Sequence, residues 1–311
     1  MTNHLFDRVL IIGIGLIGSS LALAMKRAGL AKRIEAVARS GATRAAALDL
    51  GLVEAAHADI TAAAPGADLI VIATPVGAIG DVLEAAAAAA SPGAILTDVG
   101  SVKGAVVAAA ERVRDDVHVV PGHPIAGTEN SGPHSGFASL FDGRYCLLTP
   151  LRNGAPDYSA AVDKVEALWR ACGATVERMD ATHHDLALAV TSHVPHLIAY
   201  NIVGTAADLE AVTEAEVVKY SAGGFRDFTR IAASDPTMWR DVFLNNKEAV
   251  LEILGRFTED LSALQRAIRW GDGEALFDLF TRTRAIRRNL IEAGQESPAP
   301  NFGRDQTDTE S

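Results

Sequence analysis

The chain has 311 residues, 49% of them hydrophobic and 22% charged, which is enough for two domains with a large core and is normal for a globular protein. Its net charge of −11 argues against nucleic acid as a partner, and no apolar stretch reaches the roughly 18 uninterrupted residues that a membrane span needs. The two cysteines, Cys146 and Cys172, form no CxxC pair and the N-terminus lacks signal-peptide order, so we expect a cytoplasmic protein without disulfides or a metal site.

The first half of the chain alternates short apolar runs with helical stretches. Residues 16–28 form a predicted apolar helix, and the alanine-rich stretch 79–90 is strongly helical by propensity. Short strands joined by helices predict a doubly wound, mainly parallel α/β sheet with right-handed crossovers. The predicted strands cover residues 8–12, 33–38, 68–73, 94–97 and 117–120, with 145–149 and 174–177 as later strands of the same unit.

A glycine-rich turn separates the first strand from the first helix. Gly13, Gly15 and Gly18 fit the GxGxxG pattern of a Rossmann dinucleotide-binding domain, which we expect to cover residues 1–179. Gly13 allows the tight turn, Gly15 lets the backbone approach a pyrophosphate, and Gly18 allows close helix–strand packing. The exposed amides at the helix start, at Leu16 and Ile17, then bind the anion. The alternative is a tight turn without a ligand.

The residues after the second predicted strand bear on the choice of cofactor. An NAD site usually carries an acid about 20 residues after the glycine motif, but Arg39 and Ser40 stand there. They are suited to a 2′-phosphate, with Arg44 as a further cation, and this favours NADP over NAD. If Arg39 is only a solvated loop charge, either cofactor binds. Thr74 and Pro75, which end the strand before them, are further candidate cofactor contacts.

Ser101 and His123 each follow a short apolar strand. Ligands bind at the carboxyl ends of strands in an open α/β sheet, so both should face the same crevice as the glycine turn. A histidine near neutral pKa can accept a proton from a substrate hydroxyl while hydride leaves the same carbon, and Ser101 can bridge the two. The alternatives are a structural histidine and a serine that caps a helix before Val102.

Beyond about residue 180 the sequence shows helical periodicity and no convincing strand, and we expect an all-α domain over residues 180–294. The segment 190–203 is apolar around much of its circumference and must be buried, which we assign to a second subunit. Pro195 should kink the first helix, and the polar tail 295–311 reads as disordered. The predicted helices cover residues 181–209, 213–220, 236–270 and 273–293.

Three side chains of this helical region are candidates for substrate contacts. His193 and His196 flank the proline on an apolar helix and need polar partners, but no third ligand supports a zinc site. We expect one to contact substrate and the other to be structural. Arg230 is suited to pair bidentately with a carboxylate, and its alternative is a surface salt bridge to Asp227 or Asp235.

Four sequence blocks, in this order, resemble the prephenate and arogenate dehydrogenases of tyrosine biosynthesis, the broad-specificity cyclohexadienyl type above all. They are GIGLIGSS, DVGSVK, GHPIAGTENSG and SHVPH followed by SAGGFRDFTRIAASDPTMW. The resemblance implies a Rossmann domain followed by a helical domain that forms a homodimer. It also implies oxidative decarboxylation of prephenate to 4-hydroxyphenylpyruvate, or of arogenate to tyrosine, with NAD or NADP and a small dicarboxylate as substrate.

The resemblance also implies roles for individual residues. His123 would accept the hydrogen bond from the ring C4 hydroxyl, with Ser101 supporting that contact. His196 and Arg230 would contact the substrate, Arg230 through a carboxylate. The remaining implied substrate residues are Gly223, Asp227 and Trp239 along the pocket, and Thr128 and Glu129 at its entrance.

Two other functions fit part of these observations. A hydroxyacid dehydrogenase of the 3-hydroxyisobutyrate kind shares the same domain order, but it relies on a lysine in the helical domain, and neither Lys219 nor Lys247 has a glycine-rich setting. A non-catalytic dinucleotide sensor would keep the glycine turn but has no use for His123 and Ser101. The sequence leaves the preference between prephenate and arogenate open.

Overall fold

The computed structural model describes residues 4–128, 130–151, 157–210 and 223–292. The chain divides into two compact units, Met1–Ile253 and Leu254–Ser311. The first unit contains the whole α/β region and also the first helices after residue 180. The predicted helix 213–220 and the tail 295–311 lie outside the described residues.

A six-stranded parallel sheet forms the centre of the first unit, in the order β3-β2-β1-β4-β5-β6. This is the doubly wound order expected from the glycine motif. The final residues of three adjacent strands are in register, with Ile12 opposite Ile72 and Ile72 opposite Asp98. The segments that follow these three strands therefore lie side by side. The strands are β1 Phe6–Ile12, β2 Ala31–Val37, β3 Ala55–His57, β4 Leu69–Ile72, β5 Ile95–Asp98 and β6 His118–Val120.

Helices cover both faces of the sheet. Alternate residues of each strand point to opposite faces, and because both sets are apolar, each face has to be covered. Val9 and Ile11 belong to one buried cluster and Leu10 and Ile12 to the other, all with 3% exposure or less. Burial on both faces explains why β1 is an unbroken apolar run. The helices of this region are α1 Leu16–Ala28, α2 Gly41–Asp49, α3 Ile60–Ala63, α4 Val76–Ala89, α5 Gly104–Ala110 and α6 Tyr158–Ala171.

A second sheet of three strands follows, made of β7 Gly122–Pro124, β8 Tyr145–Leu148 and β9 Thr175–Arg178. The sequence placed the last two strands in the same unit as the first five, whereas the structure gives them a sheet of their own. Pro121 lacks an N–H and ends the pairing of β6, so the chain continues into β7, antiparallel to β8. His123 is therefore a strand residue opposite Leu147, which the sequence did not predict.

Beyond Arg178, the described part of the chain is helical. The predicted helix 236–270 is two helices, because Asn246 ends the first one and turns its side chain to other elements. As far as it is described, the second unit consists of the end of the long helix α11 and of helix α12. The helices are α7 Ala181–Leu188, α8 Val194–Glu210, α9 Gly223–Thr229, α10 Pro236–Asn245, α11 Lys247–Trp270 and α12 Gly273–Glu292, with a 3₁₀ turn at Arg230–Ala233.

The predicted break near Pro195 takes the form of a π-helical turn, Ala189–His193, between α7 and α8. Proline cannot donate to the preceding turn, and single π turns are frequent at functional sites. We expected no stretch long and apolar enough to span a membrane, whereas Ala181–Leu209 is by length and hydropathy a candidate span. The core helix of a globular protein passes the same test, and this stretch carries the buried polar residues His184, Asp185 and His193.

Candidate active site

The glycine turn after β1 has the geometry that a dinucleotide needs. Gly13 has φ +101°, and a Cβ there would lie 2.5 Å from the carbonyl oxygen of Ala73. A Cβ on Gly18 would overlap the carbonyl oxygen of Gly13, whereas Gly15 faces open space. No side chain caps α1 at Gly15, so the first amides of this helix, at Leu16 and Ile17, are available to an anion. The turn fits a pyrophosphate.

The tip of β2 lies against this turn, because the N–H of Gly13 donates to the carbonyl of Val37 at 2.9 Å. Arg39 and Ser40 are exposed there, and Ser40 caps α2. Arg44 folds back and donates to the carbonyls of Ala38 and Arg39 at 2.7 and 2.8 Å. This tip therefore presents the Arg39 guanidinium where a carboxylate commonly holds the ribose.

Thr74 and Pro75 lie on the other side of the turn. The N–H of Ala73 donates to the carbonyl of Ile12 at 2.8 Å, so the segment after β4 runs beside the one after β1. A Cβ on Gly13 would lie 3.2 Å from the Thr74 nitrogen. Pro75 begins α4. The structure thus brings the predicted cofactor residues together.

The Ser101 loop is held by a buried network between β5 and β7. One oxygen of the Asp98 carboxylate accepts from the amide of Gly100 at 2.8 Å and from the Lys103 ammonium, and the other accepts from the amide of Gly122 at 3.1 Å. Lys103 also donates to the carbonyl of Gly122 at 2.7 Å. This network fixes the segment that carries Ser101 relative to the strand that carries His123.

Ser101 is not the helix cap that sequence alone allowed. Helix α5 begins at Gly104, and the amides of Lys103 and Gly104 donate to the two carboxylate oxygens of Asp185, at 2.7 and 2.8 Å. A carboxylate from α7, distant in sequence, thus does the capping. The partly exposed Ser101 hydroxyl is not used for this cap.

His123 is 8% exposed, and its Nδ1 lies 2.8 Å from Nε2 of His184. Burial lowers the pKa of His123 well below its usual value, and the nearby His184, Lys103 and His193 lower it further. The ring is therefore neutral near pH 7, as a proton acceptor must be. Between the described residues Ser101 and His123 there is no direct hydrogen bond.

His196 and Trp239 form a second cluster on the helical side. Their rings stack with centroids 3.7 Å apart and an interplanar angle of 23°. His193 contacts Asn246 through Nδ1 at 3.0 Å, and burial lowers the pKa of His193 to about 4. Within the described part of the chain, the buried Nε2 of His193 and Nε1 of Trp239 have no hydrogen-bond partner. A polar ligand can form hydrogen bonds with these two nitrogens.

The remaining predicted substrate residues have fewer contacts with these two clusters. Arg230 begins the 3₁₀ turn. Burial lowers the pKa of His196, the hydrogen bond to the Ser192 carbonyl raises it, and the charge of the nearby Arg230 lowers it further. Gly223 and Asp227 are exposed on α9. Thr128 lies after β7 and its hydroxyl accepts from the amide of Asn130 at 3.2 Å. Glu129 and Lys219 lie outside the described residues.

Sequence reasoning missed two residues of this site, His184 and Asp185. Both are buried on α7, and they connect His123 to the helix after Ser101. The available signal was a run of four polar residues, 182–185, at the start of an otherwise apolar helix.

Two sequence profiles match the chain. The profile described as prephenate dehydrogenase, nucleotide-binding domain, matches residues 21–178, and the one described as prephenate dehydrogenase, dimerization domain, matches residues 180–282. The chain is similar to the cyclohexadienyl dehydrogenase of Zymomonas mobilis, with 39% identity covering 92% of this chain and 96% of that protein.

Solved structures show the same likeness. A crystal structure of prephenate dehydrogenase from Aquifex aeolicus, in complex with hydroxyphenyl propionate and NAD+, has a TM-score of 0.85 and 33% identity, covering 91% of this chain and 98% of that one. The arogenate dehydrogenase of Synechocystis has a TM-score of 0.76 and 27% identity, covering 91% and 99%.

Proposed function

Because the chain belongs to the prephenate dehydrogenase family, we propose that it carries out oxidative decarboxylation of prephenate, arogenate or both in tyrosine biosynthesis. Prephenate gives 4-hydroxyphenylpyruvate and carbon dioxide, and arogenate gives tyrosine and carbon dioxide. The observation that best supports this function is the buried, neutral His123 beside the strand ends that carry Ser101 and the glycine turn. A non-catalytic sensor has no use for such a base.

The chemistry requires little from the protein beyond position and one proton acceptor. A bound nicotinamide would supply the acceptor for the hydride that leaves ring carbon C4 of the substrate. His123 takes the proton of the C4 hydroxyl, and the resulting ketone draws electrons from the ring, so the bond from C1 to its carboxylate breaks. The ring becomes aromatic, which supplies the driving force.

The other predicted residues take supporting roles in this proposal. Ser101 hydrogen-bonds the substrate hydroxyl beside His123. His196 contacts the substrate from its stack on Trp239, and Arg230 pairs with a carboxylate, supported by its closeness to His196. The residues proposed around them are Gly223 and Asp227 along the pocket, and Thr128 and Glu129 at its entrance.

The cofactor is a nicotinamide dinucleotide. Gly13, Gly15 and Gly18 with the amides of Leu16 and Ile17 would hold its pyrophosphate, and Thr74 and Pro75 would flank it. For the ribose end we propose a preference for NADP, supported by the exposed Arg39 beside Ser40 and by the lack of an acid at the described tip of β2.

The helical region is proposed to form the substrate and dimerisation domain, residues 180–294, after a dinucleotide-binding domain 1–179. The described helices of the second unit expose large apolar side chains: Leu261 is 53%, Trp270 77% and Phe277 69% exposed. Such surface is costly in a monomer and supports a homodimer. The buried free thiols Cys146 and Cys172 agree with the proposed cytoplasmic location.

The test is a crossed assay of cofactor reduction, with prephenate and arogenate each paired with NAD and with NADP. Turnover with either substrate is expected, with a lower KM for NADP than for NAD. Folded protein that binds dinucleotide but turns over neither substrate would contradict the proposed activity. A lower KM for NAD would leave the activity intact and overturn the cofactor preference.

A further inference from the structure

A chain of hydrogen bonds runs inward from His123 through two residues of α7. Nδ1 of His123 lies 2.8 Å from Nε2 of His184, and Nδ1 of His184 lies 2.8 Å from Oδ1 of Asp185. All three residues are buried, with His184 fully inaccessible. Both nitrogens of His184 are thus occupied by protein partners, and Nε2 of His123 is the ring nitrogen left for a substrate.

The protonation of this chain follows from what Asp185 accepts. Backbone amides can only donate, and those of Lys103 and Gly104 each donate to one oxygen of the Asp185 carboxylate. An ionised carboxylate accepts at both oxygens, so the proton between Asp185 and His184 belongs to Nδ1 of His184. These hydrogen positions are inferred from the heavy-atom network.

The same reasoning gives the direction of the hydrogen bond between His184 and His123. Burial lowers the pKa of His184 as well as that of His123, so both rings are neutral near pH 7. A neutral His184 with its proton on Nδ1 has a lone pair on Nε2, and it accepts from Nδ1–H of His123. The lone pair of His123 is therefore on Nε2.

We propose that His184 and Asp185 are positioning residues that hold His123 in the tautomer whose Nε2 accepts the proton of the substrate hydroxyl. The proposal rests on the role proposed for His123 above. When Nε2 takes that proton, Nδ1–H remains donated to His184, so the positive charge develops at the end of a chain that leads to the Asp185 carboxylate. A histidine without this partner would present Nε2–H, a donor, to the hydroxyl in part of the molecules.

The same carboxylate also orients the other side of the site. By accepting from the amides of Lys103 and Gly104, Asp185 caps the helix that follows Ser101. One side chain of α7 thus sets both the tautomer of His123 and the start of the helix after Ser101. This couples the geometry of the two proposed substrate contacts.

The test compares His184→Gln with His184→Leu in the full-length enzyme. A glutamine amide can accept from His123 through its oxygen and donate to Asp185 through its nitrogen, whereas leucine can do neither. We expect His184→Leu to lose about 10- to 100-fold in kcat, by analogy with the loss when the partner that orients a metal-bound histidine is removed, with little change in KM for prephenate. His184→Gln should recover most of kcat.

His183→Leu is the matched control, because His183 is exposed on the same helix. It should keep wild-type kcat. Thermal unfolding and dinucleotide binding of each variant show whether the fold is intact. If His184→Leu does not fold, His184→Asn replaces it, since its amide is one methylene too short to span from Asp185 to His123.

Equal kcat for wild type and the folded leucine or asparagine variant would overturn the proposal, and so would equal losses for glutamine and leucine. Loss of turnover in His123→Asn together with unaffected His184 variants would overturn this inference and leave the role of His123 standing. Full turnover in His123→Asn would instead remove the proposed function of that residue.

Discussion

Lys103 and Asp98 form an ion pair whose side chains are 0% and 2% exposed. Both side chains also hydrogen-bond the backbone of Gly122, so the pair ties the end of β5 and its following loop to the start of β7. Removing one partner of a buried pair leaves an uncompensated charge, so Lys103→Met should lower the free energy of unfolding by about 3–5 kcal/mol in urea denaturation. The exposed pair of Lys26 with Glu54 is the control, and Lys26→Met should cost about 0–1 kcal/mol. Similar losses for both would contradict a structural role for the buried pair.

Gly15 and Gly18 should respond differently to alanine. Gly15 faces open space at φ −92°, so Gly15→Ala should keep the wild-type melting temperature while its Cβ obstructs the pyrophosphate. We expect weaker dinucleotide binding by fluorescence titration. Gly18→Ala would force Cβ into the carbonyl of Gly13 and should lower the melting temperature itself. Tight binding by Gly15→Ala would show that the pyrophosphate lies elsewhere.

His123→Asn should lower kcat by about 10²- to 10⁴-fold, the usual contribution of a positioned proton acceptor, with a smaller effect on KM. Steady-state kinetics with prephenate measure both. His118 has the same 8% exposure, lies on β6 and pairs with Asp157 at 3.2 Å, so His118→Asn is a control for losing a buried imidazole. Comparable losses in the two variants would argue against a special role for His123.

Arg39→Asp should reverse the proposed preference for NADP over NAD. Losing a charge-assisted contact to a 2′-phosphate and adding repulsion should weaken NADP binding by about 10- to 100-fold, while NAD binding holds or improves. Lys32→Asp changes the net charge equally at the opposite end of β2 and should leave the ratio of NADP to NAD affinity unchanged. An unchanged ratio in Arg39→Asp would place the selectivity elsewhere.

The buried histidines should make the fold sensitive to acid. The pKa of His193 is about 4 in the folded chain, against about 6.5 when unfolded, because of burial. As the pH falls, the unfolded state therefore binds a proton before the folded state does. The contribution of this group to the free energy of unfolding is complete above about pH 6.5 and is lost as the pH drops toward 4, a loss of about 3 kcal/mol. Urea unfolding at pH 7 and pH 4.5 measures the loss. A His193→Gln variant should show a shallower decline, and an identical decline would assign the effect to other groups.

Much of the fold followed from local sequence. The apolar run of β1, the glycine turn and α1 Leu16–Ala28 were predicted from residues that are close in the chain, because burial on both sheet faces and the turn geometry leave a local pattern. The same holds for the helical periodicity after residue 180. The division of the strands between two sheets did not follow, since the change at Pro121 depends on which strand β8 pairs with.

The sequence by itself determined that Ser101 and His123 lie just beyond the ends of β5 and β6, at the edge of the sheet that carries the glycine turn. Only the tertiary structure decided how they are held. His184 and Asp185 come from a helix about 60 residues beyond His123, and their hydrogen bonds to His123 and to the amides after Ser101 exist only because α7 packs against that loop. Periodicity reports which face of an element is buried, but it carries no information on which polar groups meet there, and that pairing sets the tautomer of His123.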